Sequence, residues 1–220
     1  VRVDDAEIET ESCFASNTEV PRLLAGVCRA LGVKLLTFSS DLVFDGKKQQ
    51  CYVESDAVSP LNVYGKSKVM AEQAVAKINP DALIVRTSAF FGPWDRYNFV
   101  FQVLQAVRQN IPFSAAHDVY ISPTYIPDLV SNSLDLLLDD AAGVWHMSNS
   151  GEVSWSTLAE EIAIRADCSR SLIRHLPVED LRFRALRPKY SVLKSEKGMT
   201  MPSLDDALDR FLIDQEILTR

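Results

Sequence analysis

The spacing of apolar residues near the start of the chain changes from that of a helix to that of a strand. Residues 17–31 carry apolar side chains at helical spacing, and Gly32 follows as a suitable helix stop. Residues 33–39 read VKLLTFS, an apolar run typical of a fully buried strand. A helix that leads into a buried strand is typical of α/β proteins. The apolar helical positions are Val20, Leu23, Leu24, Val27, Cys28 and Leu31.

This alternation of helices and strands continues along the chain. The pattern predicts a helix over residues 62–78 and a second buried strand within residues 81–92. Residues 45–60 lack periodicity and are expected to form a long surface loop. We therefore predict an α/β fold with a parallel sheet. Further helices are predicted at 98–110, 127–138, 154–166 and 203–218, and short strands within 143–149 and 170–178.

The composition and charge of the chain disfavour several classes of protein. Its 220 residues suffice for one large domain or two small ones, and 47% hydrophobic with 24% charged residues is typical of globular proteins. The net charge of -7 disfavours a nucleic-acid partner, which needs a basic surface. No apolar run approaches the roughly 18 residues that span a bilayer, so we expect no membrane partner. A basic cluster could face a phosphate, although most such runs are simply solvated: Arg182, Arg184, Arg187 and Lys189.

The cysteine and histidine residues show no spacing that indicates a metal site or a disulfide framework. The chain has 4 cysteines and 3 histidines, with no C-x-x-C pair and with the histidines far apart. We therefore expect reduced thiols and no protein-bound metal. Because reduced thiols are the rule in the cytoplasm, and because the acidic start of the chain has no apolar signal segment, a cytoplasmic location is expected.

Three residues are candidates for one catalytic site. Ser40 ends the first buried strand, and open α/β sheets place their sites at the carboxyl ends of strands. Tyr64 and Lys68 are four residues apart, which puts both side chains on one face of a helix. An ammonium beside a phenol lowers the phenol's pKa and suits it to proton transfer, and a hydroxyl can hold a substrate oxygen. These roles suit carbonyl reduction or alcohol oxidation with a nicotinamide cofactor. A surface tyrosine and a solvated lysine are the alternative, since Y-x-x-x-K arises by chance on many helices.

Several ordered segments of the chain resemble one known family. They read FSSDLVFDG, then YVESDAVSPLNVYGKSKVMAE, then RTSAFFG and NF, with RPKYSVLKSEK towards the end. Together they resemble the extended short-chain dehydrogenase/reductases, and among these the dTDP-4-dehydrorhamnose reductase family. The resemblance implies a Rossmann-like NAD(P)-binding domain, of which residues 1–112 would be the remaining part. Residues 113–220 would mainly form a smaller substrate-binding region, interleaved with the last sheet elements.

The resemblance also implies a role for each matching residue. Tyr64 would donate a proton to the reduced C4 oxygen of a nucleotide-linked keto-sugar. Lys68 would lower the pKa of Tyr64 and hold the ribose of NADP or NAD, and Ser39 and Tyr64 would also bind the cofactor. Ser40 would take the catalytic hydroxyl position, which is commonly threonine. The expected substrate-binding positions are Ser40, Asn98 and Arg187.

The chain departs from the family pattern in ways that leave other functions open. It contains no G-x-x-G-x-x-G turn for the cofactor's pyrophosphate. It therefore resembles a member that lacks its first βαβ portion, as a fragment or fused to an upstream segment.

The main alternative to a reductase is a non-catalytic sugar-nucleotide-binding or regulatory module, and an epimerase or dehydratase is another. The helix with Tyr64 could form a homodimer face. The substituted family positions are Leu42, Ala89, Val119 and Ile121.

Overall fold

The structure, a computed structural model, describes residues 2–218, and the side chains of 216–218 are outside its described part. The ends of the two predicted regions, residues 1 and 219–220, therefore lie outside the described residues. The helices are α1 (Thr10–Phe14), α2 (Val20–Leu31), α3 (Val63–Ile78), α4 (Phe99–Arg108), α5 (Ile126–Leu138), α6 (Trp155–Arg165) and α7 (Leu204–Leu218). The strands are β1 (Leu36–Ser40), β2 (Leu83–Thr87), β3 (Phe90–Phe91), β4 (Phe113–Ala116), β5 (Tyr120–Ile121), β6 (Thr124–Tyr125), β7 (Gly143–His146), β8 (Asn149–Ser150), β9 (Val153–Ser154), β10 (Ile173–Leu176) and β11 (Met201–Ser203).

The largest sheet in the described chain is parallel and has the strand order β1-β2-β7. Ser40 pairs in register with Thr87, so β1 and β2 end at the same edge. Every residue of β2 is buried, as its apolar run predicts. The prediction of a fully buried strand at 33–39 is wrong, because β1 begins at Leu36 and its Phe38 is 37% exposed. Strand β1 has a neighbour on one side only within the described residues, which leaves Phe38 in contact with solvent.

The predicted helices form, and one of them is longer than its periodicity indicates. Helix α2 ends at Gly32, whose φ of 66° is the left-handed conformation that glycine adopts readily. It is continuous with α1 through a π-helical turn over Ala15–Glu19, so the helical segment begins at Thr10. Its apolar stripe is largely exposed, because the helix packs on α3 through small residues such as Ala25. Amphipathic spacing therefore predicted the helix but not which face is buried.

The loop over residues 45–60, predicted to lie on the surface, is partly buried. The ring of Tyr52 stacks on that of Phe44 at 4.1 Å between centroids, and Tyr52 is 4% exposed. The amide of Tyr52 donates to Val192 O at 2.8 Å, and Lys194 N donates to Tyr52 O at 2.9 Å. The loop is held by these backbone bonds to a segment far along the chain, which residue spacing within the loop could not indicate.

A second core lies beside the parallel sheet and contains the later helices. Strands β4 and β10 pair in parallel, and α4 and α6 pack against them. Large buried side chains from α4, α6 and α7 fill the space, among them Leu104, Ile162 and Phe211. A cavity lies between this core and the carboxyl ends of β1 and β2. In the part of the chain described, no helix combines the length and apolar character needed to cross a bilayer.

A buried ion pair joins α3 to the parallel sheet. Arg86 of β2 donates to both carboxylate oxygens of Glu72, from Nε at 2.9 Å and from Nη2 at 2.7 Å. Arg86 Nη1 also lies 3.4 Å from His146 Nε2. The opposite ring nitrogen, Nδ1, lies 3.1 Å from the carbonyl oxygen of Tyr52, which can only accept. The proton of a neutral His146 therefore lies on Nδ1, and the Nε2 lone pair faces the guanidinium.

The close approach of α3 to the chain after β1 generates a prediction about Gly65. A Cβ atom there would lie 2.2 Å from Leu42 O and 2.9 Å from Pro60 Cβ. Gly65→Ala should lower the free energy of unfolding by about 1–3 kcal/mol, as overpacking does. Gly26→Ala is the matched control, because its Cβ would meet nothing nearer than Ile78 at 4.0 Å. It should raise that free energy by about 0.5–1 kcal/mol. Urea unfolding followed by circular dichroism measures both, and equal effects would contradict the steric account.

His146 generates a prediction about stability and pH. Burial, followed by the charge of Arg86, lowers the pKa of His146 from 6.5 to about 4. At pH values between about 4 and 6.5, His146 is protonated in the unfolded chain but neutral in the folded chain. The free energy of unfolding should therefore fall as pH falls through this range. The total loss should be about 3 kcal/mol. Urea unfolding across this pH range should show a smaller loss for His146→Gln than for wild type. His117→Gln, at an exposed position, controls for removal of a histidine, and an unchanged pH dependence in His146→Gln would disprove the assignment.

Candidate active site

A cavity of about 570 Å³ opens at the carboxyl ends of β1 and β2. Parallel strands end at one edge of their sheet, so residues that are distant in sequence meet there. The end of β1 contributes Ser39 and Ser40, the end of β2 contributes Thr87, and α3 contributes Tyr64. The structure thus brings two predicted catalytic residues, Ser40 and Tyr64, and the predicted cofactor residue Ser39 to one cavity wall.

Ser40 is held by local backbone geometry. It is the N-cap of a short 3₁₀ helix over Asp41–Val43, with extended backbone angles. Its Oγ accepts a hydrogen bond from Leu42 N at 3.1 Å and lies 3.1 Å from Asp41 Oδ1. Both contacts come from its immediate neighbours, so the chain itself orients this hydroxyl. Leu42 N occupies one lone pair of the hydroxyl oxygen, and the hydroxyl hydrogen lies within reach of Asp41 Oδ1.

Tyr64 and Lys68 lie on one face of α3, as their spacing predicts. Asn62 caps this helix, since its side chain accepts from Gly65 N at 2.7 Å. The ammonium of Lys68 lies 5.6 Å from the centroid of the Tyr64 ring, and it donates to Phe38 O at 3.1 Å. Burial lowers the pKa of Lys68. The ammonium is thus fixed between the end of β1 and the face of the phenol.

The pKa of Tyr64 moves in the direction opposite to the expected one. Burial raises the pKa of this phenol to about 12, the charges of Asp41 and Cys13 add to the rise, and the Ser40 hydroxyl opposes it. Lys68 is not among the causes of this shift. A phenol with such a pKa is protonated near neutral pH. Tyr64 is therefore suited to donate a proton rather than to accept one.

Two buried hydroxyls on the cavity wall lack hydrogen-bond partners within the described residues: those of Ser39 and Ser88. The Ser88 hydroxyl is close enough to Asp41 to lower the pKa of that carboxyl group, but it makes no well-formed hydrogen bond. A buried polar group without a partner is costly. Both hydroxyls are therefore available to a polar ligand in the cavity.

Asn98 is not among the residues that line this cavity. It caps helix α4, where its side-chain oxygen accepts from Phe101 N at 2.8 Å. Its side-chain nitrogen donates to Gly92 O at 3.2 Å. Its amide group is therefore occupied on both sides by backbone atoms, and the structure gives it a capping role in place of a direct contact with the cavity.

Arg187 lines the cavity, but its charge is already paired. Its Nη2 atom donates to Asp4 Oδ2 at 2.9 Å, and its guanidinium lies over the ring of Phe183. Lys189, from the same basic cluster, pairs with Asp118 at 2.9 Å. Part of the positive charge predicted from the sequence is thus neutralised within the protein.

The far wall of the cavity is aromatic, which residue spacing did not indicate. The ring of Phe99 meets those of Trp155 and Phe113 edge to face, at 4.6 Å and 5.4 Å between centroids. These side chains come from α4, α6 and β4, and their only sequence signal is their apolar character.

Two polar residues of the cavity lining, Asp41 and Ser191, were not identified from the sequence either. An acid immediately after a buried strand was the available signal for Asp41.

The described residues contain no group of three or more His, Cys, Asp or Glu side chains arranged to hold a metal ion. The polar groups that line the cavity include hydroxyls, one phenol, one buried carboxyl, the amide of Gln102 and the paired guanidinium of Arg187. An ammonium stands next to the phenol. This set can bind a polar ligand and donate a proton to it.

Known proteins resemble the chain over most of its length. It is 32% identical over 227 residues to a dTDP-4-dehydrorhamnose reductase of Sinorhizobium fredii, covering 96% of this chain and 76% of that protein. It is 32% identical over 193 residues to the dTDP-4-keto-6-deoxy-D-glucose reductase of Streptomyces niveus, covering 87% and 67%.

A crystal structure of dTDP-4-dehydrorhamnose reductase from Bacillus anthracis in complex with NADP superposes with a TM-score of 0.93 and 32% identity, covering 97% of this chain and 77% of that one. The predicted Rossmann-like α/β class is confirmed by this likeness and by the parallel sheet. The family model for the RmlD substrate binding domain matches residues 1–211. The chain therefore belongs to the RmlD substrate binding domain family.

Proposed function

We propose that this chain carries the proton-donating and substrate-binding part of an NADP-dependent reductase of the short-chain dehydrogenase/reductase type, acting on a dTDP-linked 4-keto-6-deoxysugar. The observation that carries the proposal is the meeting of Ser40 and Tyr64 on the wall of one cavity, at the carboxyl ends of parallel strands. The substrate class comes from relatives named dTDP-4-dehydrorhamnose reductase and dTDP-4-keto-6-deoxy-D-glucose reductase. NADP as cofactor comes from the Bacillus anthracis complex.

Tyr64 would donate a proton to the C4 oxygen of the substrate. A bound reduced nicotinamide supplies a hydride to the carbonyl carbon of the substrate. The phenol of Tyr64, with a pKa of about 12, carries the required proton near neutral pH. The Ser40 hydroxyl would hold the carbonyl oxygen in place and would also stabilise the phenolate that remains, since it is the group that opposes the rise in the pKa of Tyr64. Near neutral pH the phenol is in the protonated form that reduction of a ketone requires.

The residues at the sheet edge suit a polar cofactor group. Ser39 and Ser88 present buried hydroxyls without partners in the described chain, and a carboxamide or ribose could satisfy them. Lys68 would hold the ribose, for which it has two donor hydrogens beyond the one given to Phe38 O. Since the sequence contains no G-x-x-G-x-x-G turn, none of its loops is assigned to the pyrophosphate.

The substrate would occupy the aromatic end of the cavity. Phe99, Phe113 and Trp155 offer ring faces and edges to a base or to the apolar face of a sugar. In this proposal residues 1–112 would form the cofactor part, and residues 113–220, which include Phe113 and Trp155, would form the mainly substrate-binding part. The substituted family positions Leu42, Ala89, Val119 and Ile121 also line the cavity.

Removal of the phenolic hydroxyl is the direct test. In the complete gene product that carries this chain, Tyr64→Phe should lower kcat for NADPH oxidation with dTDP-4-dehydrorhamnose by about 10²- to 10⁴-fold, as the loss of a general acid does. The ring remains, so the free energy of unfolding and the affinity for the nucleotide-linked sugar should change little. Tyr97→Phe is the matched control, because Tyr97 is 78% exposed and lies outside the cavity lining, and its activity should equal that of wild type.

The NADPH assay, together with calorimetry, distinguishes the reductase from a non-catalytic binding module. Wild-type activity that survives in Tyr64→Phe would exclude this phenol as the proton donor. A wild-type protein that binds the sugar nucleotide in calorimetry but oxidises no NADPH would support the non-catalytic binding module.

A further inference from the structure

Asp41 is a buried carboxyl group on the wall of the cavity. It follows Ser40 directly in the chain, and it is 6% exposed. Its Oδ1 atom lies 3.1 Å from Ser40 Oγ, and Ser191 Oγ donates to its Oδ2 atom at 2.6 Å. The proposed reaction uses the neighbouring Ser40 and Tyr64 but gives Asp41 no part.

No cation pairs with Asp41 among residues 2–218. The ammonium of Lys68 donates to the backbone oxygen of Phe38, and the guanidinium of Arg187 pairs with Asp4. An ionised carboxylate that is buried without a cation is costly, whereas a protonated carboxyl group is tolerated.

The surroundings of Asp41 favour its neutral form. Burial raises the pKa of the Asp41 carboxyl above its usual value, and the hydroxyls of Ser191, Ser88 and Ser40 offset only part of that rise. The titratable group that faces it from α3 is Tyr64. From α1, the thiol of Cys13 lies near that tyrosine and contacts the hydroxyl of Ser67 at 3.4 Å. Neither the phenol nor the thiol is a cation that could stabilise a carboxylate.

The protonation state of Asp41 decides where the Ser40 hydrogen points. Ser40 Oγ carries one hydrogen and already accepts from Leu42 N. An ionised Asp41 can only accept, so it takes that hydrogen and leaves Ser40 nothing to donate to a ligand. In a protonated Asp41 the direction of the 3.1 Å contact between Ser40 Oγ and Asp41 Oδ1 is reversed, so that Oδ1 donates to Ser40 Oγ while Oδ2 still accepts from Ser191. The Ser40 hydrogen is then free to point into the cavity.

We propose that Asp41 is a positioning residue that acts in its protonated form, directing the Ser40 hydroxyl hydrogen at the carbonyl oxygen of the substrate. This inference rests on the proposed reductase function. It adds a chain of hydrogen bonds that runs from the Asp41 carboxyl group through Ser40 to the substrate. Ionisation of Asp41 reverses the Ser40 hydroxyl and ends its hydrogen bond to the substrate.

The charge of Asp41 has a second effect on the same reaction. A carboxylate at this position disfavours a phenolate at Tyr64, since the charge of Asp41 raises the pKa of Tyr64. Proton donation by Tyr64 leaves such a phenolate behind. A neutral Asp41 therefore favours both the hydrogen bond from Ser40 and the proton transfer from Tyr64.

The test is the pH profile of three forms of the complete gene product. For wild type, kcat with NADPH and dTDP-4-dehydrorhamnose should fall as pH rises through the ionisation of Asp41, whose pKa is raised by burial. In Asp41→Asn the side-chain amide can still donate to Ser40 and accept from Ser191, but it cannot ionise. This variant should therefore remain active, and its kcat should not fall as pH rises. Asp41→Ala removes the donor and should lower kcat by up to roughly tenfold.

Ser191→Ala controls for a purely structural role of Asp41. It removes the hydrogen bond between Ser191 and Asp41 but keeps the Asp41 carboxyl group that donates to Ser40. It should lower stability and retain the alkaline fall of wild type. An Asp41→Asn variant with the same alkaline fall as wild type would overturn the inference. So would a wild type without such a fall, or an Asp41→Asn variant as impaired as Asp41→Ala at every pH.

An infrared measurement tests the protonation without turnover. At a pH on the active side of the wild-type profile, the difference spectrum between wild type and Asp41→Asn should contain the C=O stretching band of a protonated carboxyl group. If wild type oxidises no NADPH, the proposed function fails whatever the spectrum shows. If wild type is active but the band is missing, the reductase function stands and the role given to Asp41 is wrong.

Discussion

The contact between the start of α3 and the chain after β1 is the constraint on which the candidate site depends. Gly65 brings its backbone so close to Leu42 O that a Cβ atom would have only 2.2 Å of space. This approach sets Tyr64, the residue before Gly65, beside the end of β1 and therefore beside Ser40. The phenol and the hydroxyl belong to one cavity because a helix and a loop meet without a side chain between them.

The buried pair of Arg86 and Glu72 joins a later turn of α3 to the parallel sheet. Glu72 lies two turns beyond Tyr64 on the helix, and Arg86 projects from the centre of the sheet. A buried ion pair adds little net stability compared with apolar packing, but the loss of one partner leaves an uncompensated charge. The pair therefore acts mainly on geometry, since it allows only those positions of α3 in which both charges are satisfied. Through His146 it also connects the helix to β7.

Features of the fold that depend on local periodicity could be predicted from the order of the residues. The all-buried strand β2 and the helix α3 were predicted, because a continuous apolar run and a helical stripe are local signals. The placement of Tyr64 and Lys68 on one helical face follows from their spacing alone. The helix predicted at 154–166 also forms, and Ser154 is its N-cap. The ordered segments around these residues also predicted the family.

Only the tertiary structure decided which of these groups meet and in what electrical surroundings. Asn98 caps a helix instead of lining the cavity, and Phe38 stays exposed because β1 has one neighbour in the described sheet. The pKa of Tyr64 rises because burial and Asp41 outweigh the nearby hydroxyl. Contacts between Asp41 and Ser191 join positions 150 residues apart. Residue spacing reports the geometry of one element, whereas burial and charge depend on every element packed around a group, and these follow from the complete fold.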